Sequence, residues 1–144
     1  MKRNLIGILS LVVMATLISA TGAYAQSFAK ADVPFAFTVG SAQLPAGTYE
    51  ISSSNAVATA IVIQNQETSA AALSTVGREY PRNTSAKLVF HRVGNQYFLA
   101  EIWRNSSAEG MSIPASKNEK DLEKELRAAN RHMGGYEEVV VALN

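Results

Sequence analysis

Apolar residues follow three different patterns along this chain. Residues 5–18 read LIGILSLVVMATLI, an almost unbroken hydrophobic run preceded by Lys2 and Arg3. Residues 33–104 carry short apolar runs broken by turn formers. Residues 117–131 carry leucines at helical spacing, and residues 137–143 close on a β-branched run. Each pattern predicts a different kind of element.

The first predicts an address rather than a fold. At about 14 residues the run falls short of the ~20 needed to span a bilayer. A basic start, an apolar middle and the small-residue triplet Ala23-Tyr24-Ala25 are the three parts of a secretory signal peptide, in order. Cleavage is expected after Ala25, with Gln26 as the first mature residue. Residues 1–25 are then the signal and residues 26–144 a single domain, without a transmembrane anchor once cleaved.

The second pattern predicts strands. In residues 33–39 (VPFAFTV) Val33, Phe35, Phe37 and Val39 alternate on one face, with Pro34 as a strand start or edge. Leu44-Pro45-Ala46-Gly47 is a turn, because proline pre-sets its own φ and glycine accepts positive φ. Residues 48–51 then read as strand, residues 58–64 (ATAIVIQ) as a buried strand and residues 71–76 as a weaker one. Residues 77–85 read as a polar loop.

The clearest local signal lies at residues 86–104. AKLVFHRV and QYFLAEIWR flank Gly94-Asn95, and glycine first in a two-residue loop suits a type II′ hairpin. That register pairs Val93 with Gln96, His91 with Phe98, Val89 with Ala100 and Lys87 with Ile102 on one face. It pairs Arg92 with Tyr97, Phe90 with Leu99, Leu88 with Glu101 and Ala86 with Trp103 on the other. Both faces hold large apolar residues, so one is expected to meet the core and the other a helix or second sheet.

In the C-terminal third, residues 110–116 read as a short strand or extended arm. Ser116-x-x-Glu119 is a capping-box pattern, and it opens a helix over residues 117–131. Leu122, Leu126 and Ala129 form a narrow apolar stripe, and Glu123 and Arg127 a favourable i,i+4 pair. Gly134-Gly135 stops the helix, and residues 137–143 form a terminal strand. The sum is a mainly β chain: a single-domain β-sandwich or small barrel of seven or eight strands with one C-terminal helix.

Composition narrows the function classes. Without the signal, 119 of the 144 residues remain, enough for one core. Loss of Lys2 and Arg3 takes the 13 basic residues to 11, against 12 acidic ones, a net charge near −1. Such a chain has no electrostatic reason to bind nucleic acid or anionic lipid. There is no cysteine, which excludes disulfides, thiol chemistry and lipid attachment at a mature N-terminal cysteine.

Candidate chemistry is sparse. His91 and His132 are the two histidines, about 40 residues apart and without metal-ligand spacing, so neither metal nor cofactor is expected. His91 reads as a half-buried structural residue, and His132 as a cation at a helix end. The acidic cluster at residues 119–125 reads as a solvated helix face. No G-x-S-x-G, G-x-G-x-x-G or P-loop pattern occurs. Glu101 is the acidic residue of most interest. It reads either as a partner of Arg92 or Lys87 or as a functional carboxylate on the side of the strand opposite His91. Tyr97 and Trp103, with Phe90, offer an aromatic platform for a ligand, against the plainer reading that they are core. Asn83-Thr84-Ser85 and Asn105-Ser106-Ser107 match the glycan acceptor triplet, which matters only in a eukaryote.

VPFAFTVGSAQLPAGTYEI and KLVFHRVGNQYFLAEIW, about a third of the mature chain, resemble a group of uncharacterised small exported proteins of acidobacterial-type soil bacteria. The resemblance implies export and a compact β fold, and supplies no activity or site residue. The expectation is an exported, periplasmic or secreted, non-enzymatic β module with a binding or structural role. Tyr97, Trp103 and Glu101 are its candidate ligand-binding residues, and an envelope protein, a glycan or an apolar molecule its candidate partner. A hydrolase using Glu101, with His91, is the alternative.

Overall fold

The computed structural model describes residues 27–54, 59–79, 85–104, 110–129 and 135–144. The signal-peptide expectation, including Ala23, Ala25 and Gln26, lies outside them, as do His132, Gly134 and both asparagines of the glycan triplets. The described elements are eleven strands and one helix. They are β1 (Ser27–Val33), β2 (Phe37–Val39), β3 (Ala42–Leu44), β4 (Gly47–Ser53), β5 (Ala60–Asn65), β6 (Ala71–Thr75), β7 (Gly77–Glu79), β8 (Lys87–Val93), β9 (Gln96–Trp103), β10 (Gly110–Ser112), α1 (Lys117–Ala129) and β11 (Glu137–Ala142).

They build two sheets that curl around one core as a half-barrel. One is four-stranded and antiparallel, in the order β1-β4-β5-β6. The other is seven-stranded, with the path β11-β8-β9-β10-β7. On the edge of β9 away from β8, β10 pairs with Glu101 to Trp103. There β2 also meets β9 in parallel at Thr38↔Phe98 and brings β3 with it. The Asn144 N–H donates to the Lys30 carbonyl at 2.9 Å and ties the end of the chain to β1, in the opposite sheet. No helix among the described residues is long and apolar enough to cross a membrane.

The period of two explains the core. Val33 of β1, Tyr49 and Ile51 of β4, and Ile61 and Ile63 of β5 all point inward from the four-stranded sheet. They meet Phe37, Val39, Leu88, Phe90, Leu99 and Ile102 from the seven-stranded one. Each such side chain stabilises the fold by roughly 1.5–3 kcal/mol on burial. The expected alternation of Val33, Phe35, Phe37 and Val39 holds in burial, but it is not one strand. Pro34, without an N–H, stands where the chain leaves one sheet for the other, so Val33 ends β1 and Phe37 begins β2.

The expected Leu44–Gly47 turn is present. Gly47 takes φ +155°, and the Asn65 side-chain amide lies 2.6 Å from where a Cβ would sit, so a larger residue does not fit. The Tyr49 hydroxyl donates to the Pro45 carbonyl and holds the turn to the following strand. Residues 77–85, read as a polar loop, contain β7, which pairs with β10. That pairing joins residues more than thirty positions apart, and three residues carry too little pattern to announce it.

Candidate functional site

The β8–β9 hairpin is the structural centre of the seven-stranded sheet. Gly94 takes φ +61°, as the expected two-residue turn requires. The pairs Val93↔Gln96, Arg92↔Tyr97, His91↔Phe98 and Phe90↔Leu99 follow the predicted register. The register then slips at a β-bulge. Val89 pairs with Glu101, Leu88 with Ile102 and Lys87 with Trp103, not with Ala100, Glu101 and Ile102. Ala100 is the extra residue, and its carbonyl accepts the Ile113 N–H at 2.7 Å.

The bulge re-sorts the candidate residues between faces. Before it, Tyr97 and Leu99 point inward. After it, Ile102 points inward, and Glu101 and Trp103 turn outward with Phe98. Tyr97 and Trp103 therefore lie on opposite sides of the sheet and do not form one platform. Tyr97 stacks on Phe35, with ring centroids 4.0 Å apart and 17° between planes, and the Arg92 guanidinium lies 5.9 Å above its ring. Phe90 is fully in the core, edge-on to Phe35 and Phe37. Trp103 is only 6 % exposed. Its indole N–H donates to the Glu101 carboxylate at 2.7 Å, so Glu101 serves the tryptophan rather than Arg92 or Lys87.

The slip also corrects the placing of Glu101 relative to His91. Val89 and His91 share a face of β8, and Glu101 pairs with Val89, so Glu101 and His91 lie on the same side of the sheet. Each is engaged elsewhere. Arg92 pairs with Glu137 on β11 at 3.3 Å.

The helix anchors on this outer face. The Ser116 hydroxyl accepts the Glu119 N–H at 3.1 Å, the expected N-cap. The return half of the capping box is not made. The Glu119 carboxylate instead meets His91 Nδ1 at 3.0 Å. Glu119, expected on a solvated helix face, is 7 % exposed, the one buried residue of α1. The carboxylate accepts from the imidazole and fixes its ring plane. Removing either partner leaves a buried polar group unsatisfied, a cost of about 1–3 kcal/mol. The His91 ring in turn stacks on Tyr136, with centroids 3.8 Å apart and 18° between planes. Tyr136, just before β11, is 48 % exposed. Glu138 is the direct cross-strand neighbour of His91, and Val140, 55 % exposed, is that of Val89.

The outer face thus carries Tyr136 stacked on His91, with Glu119 behind and Glu138 beside. Sequence reasoning took His91 as structural, which fits its half-buried place, and missed Glu119 and Tyr136 as its partners. The only sequence signal for either was the capping-box spacing, which pointed Glu119 at the wrong donor. On the four-stranded sheet, hydrogen bonds from Ser27 and then Gln66, with Lys30 nearby, hold the Glu50 carboxyl below its ordinary range. Among the described residues no three His, Asp or Glu side chains converge in a way that holds a metal ion. No family model, no curated protein and no solved structure matches this chain.

Proposed function

We propose that the chain is an exported, non-enzymatic β module, periplasmic or secreted, that binds a glycan on the outer face of the β11–β8–β9 sheet. The observation that carries this reading is Tyr136. It is a half-exposed aromatic ring held in place from below by His91, which is itself held by buried Glu119. A ring fixed this way offers an apolar face to the C–H side of a sugar at little entropic cost. Glu138, beside it, supplies a hydroxyl acceptor. The set-up replaces the Tyr97–Trp103 platform, whose two rings lie on opposite faces. Glu101 keeps a supporting part through its bond to Trp103. Export rests on the N-terminal pattern of Lys2, Arg3, residues 5–18 and Ala23-Tyr24-Ala25. The near-neutral mature charge gives nucleic acid no purchase.

The test is a glycan screen of the exported protein and of Tyr136→Ala. Binding by the first and a loss of about thirtyfold or more in the second supports the reading, since an anchoring aromatic is worth about 2 kcal/mol or more. Equal binding by both removes Tyr136 from the site. A hydrolase built on Glu101 is the second reading, favoured by the bulge that brings Glu101 to the His91 face. It requires any hydrolysis found to vanish in Glu101→Gln, and retained turnover in that variant ends it.

A further inference from the structure

Arg104 follows β9 at the end of the molecule away from the Gly94 turn. Its guanidinium carbon stands 4.8 Å above the ring of Phe28, so the contact bridges the seven-stranded sheet and β1 of the four-stranded one. Phe28 is itself set apart. Ser27 pairs with Ser52 and Ala29 with Ile51, so Phe28 is the extra residue of a second β-bulge, which turns its ring toward the core edge. The Arg104 Nε is buried and has no hydrogen-bond partner among the described residues. Glu101, three residues earlier on β9, is engaged elsewhere, accepting from the Trp103 indole. Among the described residues Arg104 forms no ion pair.

A part-buried guanidinium without a counter-charge departs from the rule that such groups are paired. The stack on Phe28 holds the planar group in a fixed orientation and leaves its charge without a carboxylate partner among the described residues. We infer that Arg104, seated on Phe28, is an anchor for an oxyanion, the carboxylate or phosphate of a ligand. The planar fork of donors matches either group two bonds at a time, and its weak hydration lowers the cost of the exchange. The site lies apart from Tyr136 and stands whether or not a glycan binds there.

The exported protein is titrated with inorganic phosphate and, separately, with acetate. The Arg104 Nε–H and the backbone amides of Phe28 and Arg104 are followed in proton–nitrogen NMR spectra, with chloride at matched ionic strength as reference. The Nε–H signal is assigned by its absence from Arg104→Lys. A saturable displacement with at least one oxyanion, and none with chloride, is the expected result. In Arg104→Lys, which keeps the charge and loses the fork, the backbone amides report affinity weaker by roughly tenfold. A tighter response to phosphate assigns a phosphate-bearing ligand, and a tighter one to acetate a carboxylate-bearing ligand. A linear, chloride-like displacement with both oxyanions overturns the inference, as does undiminished affinity in Arg104→Lys. The wild-type titration decides by itself should the variant fail to fold.

Discussion

Trp103 lies against the backbone of β10. A Cβ built at Gly110 comes within 2.8–2.9 Å of three atoms of the indole ring. The cross-strand pair Gly110↔Trp103 therefore needs a residue without a side chain on the β10 side. Gly110→Ala is expected to push the ring outward, weaken its 2.7 Å bond to Glu101 and cost about 1–3 kcal/mol, the usual range for overpacking. Trp103 is the only tryptophan in the chain, so its emission reads the change without ambiguity. A red-shifted maximum and a lower urea midpoint are expected, and an unchanged maximum contradicts the seating of the ring on Gly110. The sequence carried half of this. Trp103 alternated as a core residue does, and residues 110–116 read as a short strand or extended arm, with β10 forming the strand at Gly110–Ser112, but nothing showed that Gly110 would lie against the indole. A glycine's importance here depends on which strand lies alongside, and that is set by pairing across the sheet, not by its neighbours in the chain.

At the scale of elements, those with local signals were legible and those defined by partners were not. The hairpin showed in Gly94-Asn95 between two apolar runs, the helix in Ser116 and the 122–126–129 stripe, and the last strand in its valines. The bulge at Ala100 was not legible, because one inserted residue leaves the apolar pattern readable in either register. That single slip turned Glu101 and Trp103 away from the face that Tyr97 keeps. The helix has its own consequence. Its stripe residues Leu122 and Leu126 are half-buried, and Glu119 is its one buried residue, so α1 is held by few contacts. Its amides are expected to exchange by a local opening well below the global unfolding free energy, ahead of those of β8 and β9. Ser116→Ala removes the cap and costs about 1 kcal/mol, so exchange in α1 should rise roughly fivefold while protection in β8 and β9 stays level. Equal acceleration in helix and strands indicates instead that α1 unfolds only with the whole molecule.

The whole molecule turns on whether its two sheets form one cooperative unit. The core runs without interruption from Ile61 and Ile63 in the four-stranded sheet through Tyr49 and Phe37 to Phe90 and Ile102 in the seven-stranded one, with Phe37 edge-on to both Tyr49 and Phe90. The path of the backbone supports the same unity. The chain crosses between the sheets at Pro34, and Asn144 returns to hydrogen-bond Lys30. The apolar alternation of residues 33–39 forecast burial correctly while hiding this crossing, since an inward side chain looks the same from either sheet. Ile61→Ala tests the unity directly. Ile61 is fully buried in β5, while the fluorescent reporter Trp103 sits on the outer face of the other sheet. The truncation is expected to cost about 2–5 kcal/mol. In a single cooperative core the Trp103 emission and the far-ultraviolet circular dichroism then shift to the same lower urea midpoint. A Trp103 transition left in place while the dichroism moves earlier means that the seven-stranded sheet keeps its fold alone. In that case the Arg104–Phe28 contact, which spans the two sheets, joins separately folding halves, and its anion site opens whenever the four-stranded sheet melts.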